Sequence, residues 1–254
     1  MSSEFKQLAQ KSINYVLNFA DVELVRKGRK PFTDYRDYIP FEETLAAAEA
    51  AGLPLGDYIE AQHNQVGTAQ STIDQMAEFG VFAGPIERLC EIGPGSGRYL
   101  EKALQRCRPA AVEIYETAPP WERWLVERYG VIAHPTDGSS LAHTPTASID
   151  LVQAHKVLPG QPSLTICRYY SEMARVTRPG GFVAFDIVTE ACMDRATLER
   201  WLTTAAGYQH YPCLMPRQFT VDFFSERGLI LVGSFLVPME PGSTECMVFT
   251  RPRA

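Results

Sequence analysis

From residue 86 onward, short apolar runs alternate with segments of helical spacing, and this alternation restricts the fold more than any other feature of the chain. IERLCEI, AAVEIY, VIAHP, SIDLVQA and PGGFVAFDIV read as strands. Between them, GRYLEKALQRC, PWERWLVERYG and TICRYYSEMARV repeat apolar residues three and four apart, as an amphipathic helix does. Strand, helix and strand in succession close as a right-handed crossover, which predicts a parallel sheet covered by helices on both faces. After a further helix, RQFTVDFFSERG, the last two strands LILVGSFLV and TECMVFTRP are separated only by PMEPGS. That link is too short for a helical crossover, so the pair is expected to be an antiparallel hairpin.

Two segments stand outside the alternation. Residues 1–85 are mainly helical in pattern, broken at RKPF, IPF and GLPLGDY, and are expected to be a helical N-terminal cover over a sheet domain at 86–254. Residues 191–216 are inserted after the fifth strand and are expected to join that cover. A chain of 254 residues can bury one sizeable core. The net charge of −6 argues against a nucleic-acid partner, and the one basic cluster, VRKGRK at 25–30, reads as a solvated face. No run approaches the roughly 20 apolar residues of a membrane span. The six cysteines are scattered without metal-ligand spacing, which argues against a disulfide framework or structural zinc and points to a reducing, cytoplasmic setting.

The first strand runs into EIGPGSGR, with Gly93, Gly95 and Gly97 at alternate positions and Glu91 two residues ahead. A strand that enters a helix through glycines sets backbone N–H groups and the positive end of the helix against a ligand. Dinucleotide sites place a third glycine where this chain has Arg98. A carboxylate at Glu91 would also repel a pyrophosphate at close range, and it suits a ligand with a cationic end. These residues resemble motif I of the class I S-adenosylmethionine-dependent methyltransferases. The likeness extends over residues 86–251, through YETA, TDGSSL, SIDLVQAHKVL and most clearly EMARVTRPGGFVAFDI. It implies a Rossmann-like sheet of seven strands, the last inserted antiparallel near the edge, and S-adenosylmethionine as cofactor.

The resemblance also implies roles. Glu91, Gly93, Gly95 and Gly97 would cradle the cofactor, and an acid ending the second strand would hold the ribose hydroxyls. Glu113 and Glu116 compete for that place; Glu116 stands at the C-terminal end of its strand, where open sheets bind ligands, and is favoured. Asp137 and Gly138 would receive the adenine, although Asp137 in DGSS is equally a turn-forming residue. His155, ending the fourth strand, would face the methyl group and act as the general base, with Asp186 and Glu190 as further candidates.

The acceptor is narrowed by what is missing. The N/D-P-P-Y/F loop of nucleobase and glutamine amino-methyltransferases is absent, and QAHK replaces the D-x-D-K of metal-dependent catechol-type enzymes, so no metal is expected. Tyr35, Tyr38, Tyr208 and His210 crowd the expected cover with rings and hydrogen-bonding groups, as a site for a sugar or other polyhydroxylated small molecule would. The leader with GTAQSTIDQM running into the glycine turn resembles bacterial sugar-type O-methyltransferases. Methylation of a small amine, and a catalytically silent cofactor-binding module, remain alternatives to the O-methyltransferase reading. A nicotinamide oxidoreductase is disfavoured by the glycine spacing.

Overall fold

The structure, a computed structural model, describes residues 39–63, 65–204, 212–239 and 242–253. The basic cluster at 25–30 and the expected acceptor residues Tyr35, Tyr38, Tyr208 and His210 lie outside the described residues. The chain divides into two compact units, Met1–Ile39 and Pro40–Ala254, and the elements below all lie in the second.

Three helices come first: α1 (Phe41–Ala51), α2 (Leu55–His63) and α3 (Thr68–Glu78). The sheet then begins with β1 (Arg88–Ile92), α4 (Arg98–Arg106), β2 (Ala111–Tyr115), α5 (Pro119–Tyr129) and β3 (Ile132–Ala133). It continues through β4 (Ile149–Ala154), α6 (Ser163–Val176), β5 (Thr177–Ile187) and α7 (Arg195–Thr204). It ends with α8 (Arg217–Ser225), β6 (Ile230–Met239) and β7 (Gly242–Thr250). The order across the seven strands is β3-β2-β1-β4-β5-β7-β6. All neighbours are parallel up to β5; β7 runs antiparallel to both β5 and β6, the hairpin that the short PMEPGS link requires.

Side chains alternate across a strand, and here the two faces have different fates. One face carries Cys90, Tyr115, Val152, Phe185 and Phe249 into a core shared with Tyr170 and Met173 of α6 and Phe224 of α8. The other carries Leu89, Ile114, Leu151, Ala184 and Val248 against Leu100 and Ala103 of α4. Ile73 and Met76 of α3 join that second core, and the Phe79 ring lies tilted against Phe235 of β6 with 6.0 Å between centroids. The third helix therefore shares the sheet's own core. Among the described residues no helix is long and apolar enough to cross a membrane.

Candidate active site

Strand order reverses between β1 and β4, with β2 on one side and β5 on the other, and in open sheets ligands bind at such a switch point, outside the C-terminal strand ends. On the face covered by α4, the apolar layer Leu89, Ile114, Leu151 and Ala184 is followed two residues later by Glu91, Glu116, Gln153 and Asp186. The period of two thus turns an apolar layer into a polar one, and His155 continues it beyond Gln153. All five side chains are buried.

Between β1 and α4 the glycines divide the work. Cβ atoms on Gly93 and Gly97 would come within 2.7 Å of Val157 Cγ2 and 2.8 Å of Leu125 Cδ2, so these two glycines serve packing. Gly95 has φ +52°, and a Cβ there would meet nothing within 4 Å. The backbone at Gly95 therefore borders open space, the room a ligand needs for close approach. Its N–H donates to Glu116 Oε2 at 2.9 Å, and Ala118 N–H donates to Glu116 Oε1 at 2.9 Å, which pins that carboxylate beside the loop. Burial pushes the Glu116 carboxyl up, opposed by the N–H groups of Ala118 and Gly95.

Glu113 sits elsewhere. One residue out of phase, it projects from the opposite face, where it is paired with Arg88 and accepts from Thr144 Oγ1 at 2.7 Å. His134 Nε2 lies 3.0 Å away. Burial raises its carboxyl, but the Arg88, Thr144 and His134 contacts outweigh this and hold it below the ordinary value.

Glu91 is almost fully enclosed, at 1% exposure. Gln153 faces it across the β1–β4 register and donates Nε2–H to Glu91 Oε2 at 2.8 Å. Burial, with the nearby Glu116 charge, pushes the Glu91 carboxyl up to about 8 against the pull of Gln153 and Arg98. Asp137 spends its carboxylate on its own loop: Oδ1 accepts from Ser139 N–H at 2.9 Å and Ser140 N–H at 2.8 Å, and Oδ2 from the Ser140 hydroxyl at 3.1 Å. Gly138 follows at φ +74°, with space for a Cβ except for ordinary contact with Thr117.

His155 stacks on Tyr99 with centroids 4.4 Å apart, and its Nε2 is buried with no hydrogen-bond partner among the described residues. Burial lowers it to about 4, only partly opposed by the Asp186 charge, so the ring is neutral through the physiological range. Its ordinary titration near neutrality, expected from residue type, is lost to desolvation. Asp186 is fully engaged: Oδ1 accepts from Lys156 N–H at 2.6 Å, while Oδ2 accepts from Thr244 Oγ1 at 2.6 Å and lies 3.3 Å from Lys156 Nζ. Burial raises its carboxyl, and the Lys156 and His155 contributions outweigh that and keep it low. These bonds hold Lys156 at φ +61°, a rare conformation for a side-chain-bearing residue, directly after His155. Glu190 is exposed and accepts from Arg217 N–H at 3.0 Å, at the start of α8.

The structure thus gathers Glu91, Gly95, Glu116, His155 and Asp186 in one corner. It also brings there Tyr99 and Gln153, which by sequence count only as a helix-face residue and as the replacement of a metal-binding acid. The Tyr99 hydroxyl, Gln153 Oε1 and Arg98 Nη1 are likewise buried without partners among the described residues. Unsatisfied buried polar atoms are rare in folded proteins, and four in one corner fit a polar ligand. A hint in the sequence is the polar Gln153 inside the otherwise apolar SIDLVQA run.

A carboxylate with no cation bonded to it, a glycine facing open space and a second acid at the next strand end fit a ligand with an ammonium and a ribose. Residues 90–185 match the family described as methyltransferase domain. The fold recurs in an O-methyltransferase family protein from Burkholderia thailandensis (TM-score 0.59, 17% identity, covering 84% of this chain and 62% of that one). It recurs also in magnesium protoporphyrin IX methyltransferase (ChlM) from Synechocystis PCC 6803 with bound SAH (0.58, 15%, 85% and 97%). A third case is the N-methyltransferase NodS from Bradyrhizobium japonicum WM9 (0.54, 16%, 73% and 97%). At such identities the likeness is one of fold. No curated protein matches the sequence. The match to the methyltransferase-domain family thus spans β1 to β5 of a Rossmann-like sheet. NodS was also solved in complex with S-adenosyl-l-homocysteine.

Proposed function

We propose that the protein transfers a methyl group from S-adenosylmethionine to a hydroxyl of a small acceptor, with His155 taking the acceptor's proton. The observation that carries this reading is the buried, unpartnered Nε2 of a neutral imidazole at the C-terminal end of β4. When bound, S-adenosylmethionine supplies the methyl group and leaves as the neutral thioether. Glu91 would face the aminoacyl end, Glu116 would accept from the ribose hydroxyls with its remaining lone pairs, and Gly95 would admit the ligand to the loop. The hydroxyl oxygen forms its new bond to the methyl carbon as the carbon–sulfur bond breaks, and its proton passes to His155 Nε2. That proton becomes strongly acidic as the oxygen gains the methyl group, so an imidazole near 4 can accept it. The Asp186 charge then offsets the imidazolium, a role that suits a carboxylate already committed to Lys156 and Thr244. The Asp137 loop is assigned to the adenine edge by its place after β3.

A polyhydroxylated acceptor is the substrate class we favour, on the aromatic and polar residues that the sequence carries ahead of the first strand and after the fifth. The test is methyl transfer from labelled S-adenosylmethionine to a panel of sugars, phenols and amines. Expected is product on a hydroxyl acceptor, and a fall of about 100-fold or more in kcat for His155→Ala with binding of S-adenosylhomocysteine retained. Turnover confined to amines, or untouched by that substitution, would refute the assignment.

A further inference from the structure

Glu91 and Gln153 are adjacent across the switch point, are 1% and 0% exposed, and share one hydrogen bond. The Gln153 amide donates Nε2–H to Glu91 Oε2 at 2.8 Å, which turns its Oε1 away from that carboxyl. That Oε1 is buried and receives no hydrogen bond among the described residues. Burying an amide oxygen without a donor is costly, and ionising a carboxyl buried without a bonded cation more so. The neighbouring cations do not relieve either group by contact: Lys156 Nζ is held by Asp186, Thr244 and the Pro238 carbonyl, and Arg98 acts on Glu91 only through its field. The amide oxygen, and the carboxyl once it has given up its proton, are two acceptors at one place that complement a group bearing several N–H bonds and a positive charge.

We propose that Gln153 is a specificity residue for the cofactor's aminoacyl end, its Oε1 accepting from the ammonium while its Nε2 aims Glu91 at the same group. The proposal rests on the cofactor site assigned under the proposed function. It gives Gln153 a function where the sheet's hydrophobic face would otherwise favour an apolar residue, as at Leu151 one layer below.

The test compares two ligands that share the nucleoside and differ in the aminoacyl group: S-adenosylhomocysteine and 5′-methylthioadenosine. Calorimetry on the full chain is expected to show Gln153→Leu binding S-adenosylhomocysteine about 10- to 100-fold more weakly, the range of a hydrogen bond to a charged group. Binding of 5′-methylthioadenosine should change less than about twofold, since that ligand lacks the group Gln153 reads. In the wild-type protein with labelled glutamine, the Gln153 side-chain carbonyl resonance should move with S-adenosylhomocysteine and stay still with 5′-methylthioadenosine. This second measurement decides the matter should the variant fail to fold. Unchanged affinity for S-adenosylhomocysteine, equal loss of both ligands, or a carbonyl resonance that ignores S-adenosylhomocysteine would each overturn the proposal. A wild-type protein that binds neither ligand would instead overturn the cofactor site beneath it.

Discussion

Ligand binding at this site should be linked to a proton at Glu91. The free protein holds the Glu91 carboxyl at about 8, against an ordinary 4.5, because burial removes it from water. Its surroundings are the Gln153 amide from β4, the Glu116 carboxylate from β2 and the Arg98 guanidinium from α4. A ligand ammonium needs the ionised form. At pH 7 about one-tenth of the protein has it and at pH 6 about one-hundredth, so affinity for S-adenosylhomocysteine should fall nearly tenfold over that interval. Calorimetry in buffers of different ionisation enthalpy should find close to one proton released per ligand at about pH 6.5. The interval from about pH 6 to 7 lies below the range in which an ordinary α-amino group titrates, so the slope belongs to the protein. Glu91→Gln should bind weakly and without this slope. The raised carboxyl also predicts the sign of a stability effect. Below pH 4.5 it is protonated in both folded and unfolded chains; above that the unfolded chain ionises first, and stability declines until about pH 8. Glu91→Gln should therefore melt higher than wild type at about pH 7.5, where the unfolded carboxyl is ionised and the folded one still largely protonated. A flat affinity profile with no proton release, or a variant that melts lower, would refute the reasoning.

Gly97→Ala should destabilise by several kcal/mol, since its Cβ would meet Leu125 and Tyr129 at a backbone φ of +73°, and thermal unfolding will show it. Gly95→Ala should cost only about 1–2 kcal/mol of backbone strain, yet weaken cofactor binding, because its Cβ enters the open space beside the loop. The two glutamates of the second strand should separate by phenotype. Glu113→Ala should lower stability by about 1–3 kcal/mol through loss of the Arg88, Thr144 and His134 contacts, with S-adenosylhomocysteine affinity kept. Glu116→Ala should lower that affinity in a binding titration. The rate profile of the free enzyme should show no limb near pH 6.5 from His155, which burial keeps neutral down to about pH 4; a limb there, abolished by His155→Ala, would contradict the buried state.

The alternation of apolar periods was enough to place the sheet strands, the crossovers and the terminal hairpin, because backbone pairing and side-chain period are local and leave their mark in consecutive residues. The glycine turn with Glu91 ahead of it was legible for the same reason. The order of strands and their register decided the rest. Register puts Gln153 beside Glu91, residues 62 positions apart, and no local pattern encodes that neighbour. The phase of β2 sends Glu113 to one face and Glu116 to the other, and only packing shows which face meets the glycine loop. Likewise His155 has the composition of a neutral-range base, while the enclosure by Tyr99 that shifts it exists only once the strand and helix are packed together. Residue type set what each group could do in water; removal from water, a property of the folded chain alone, decided what it does here.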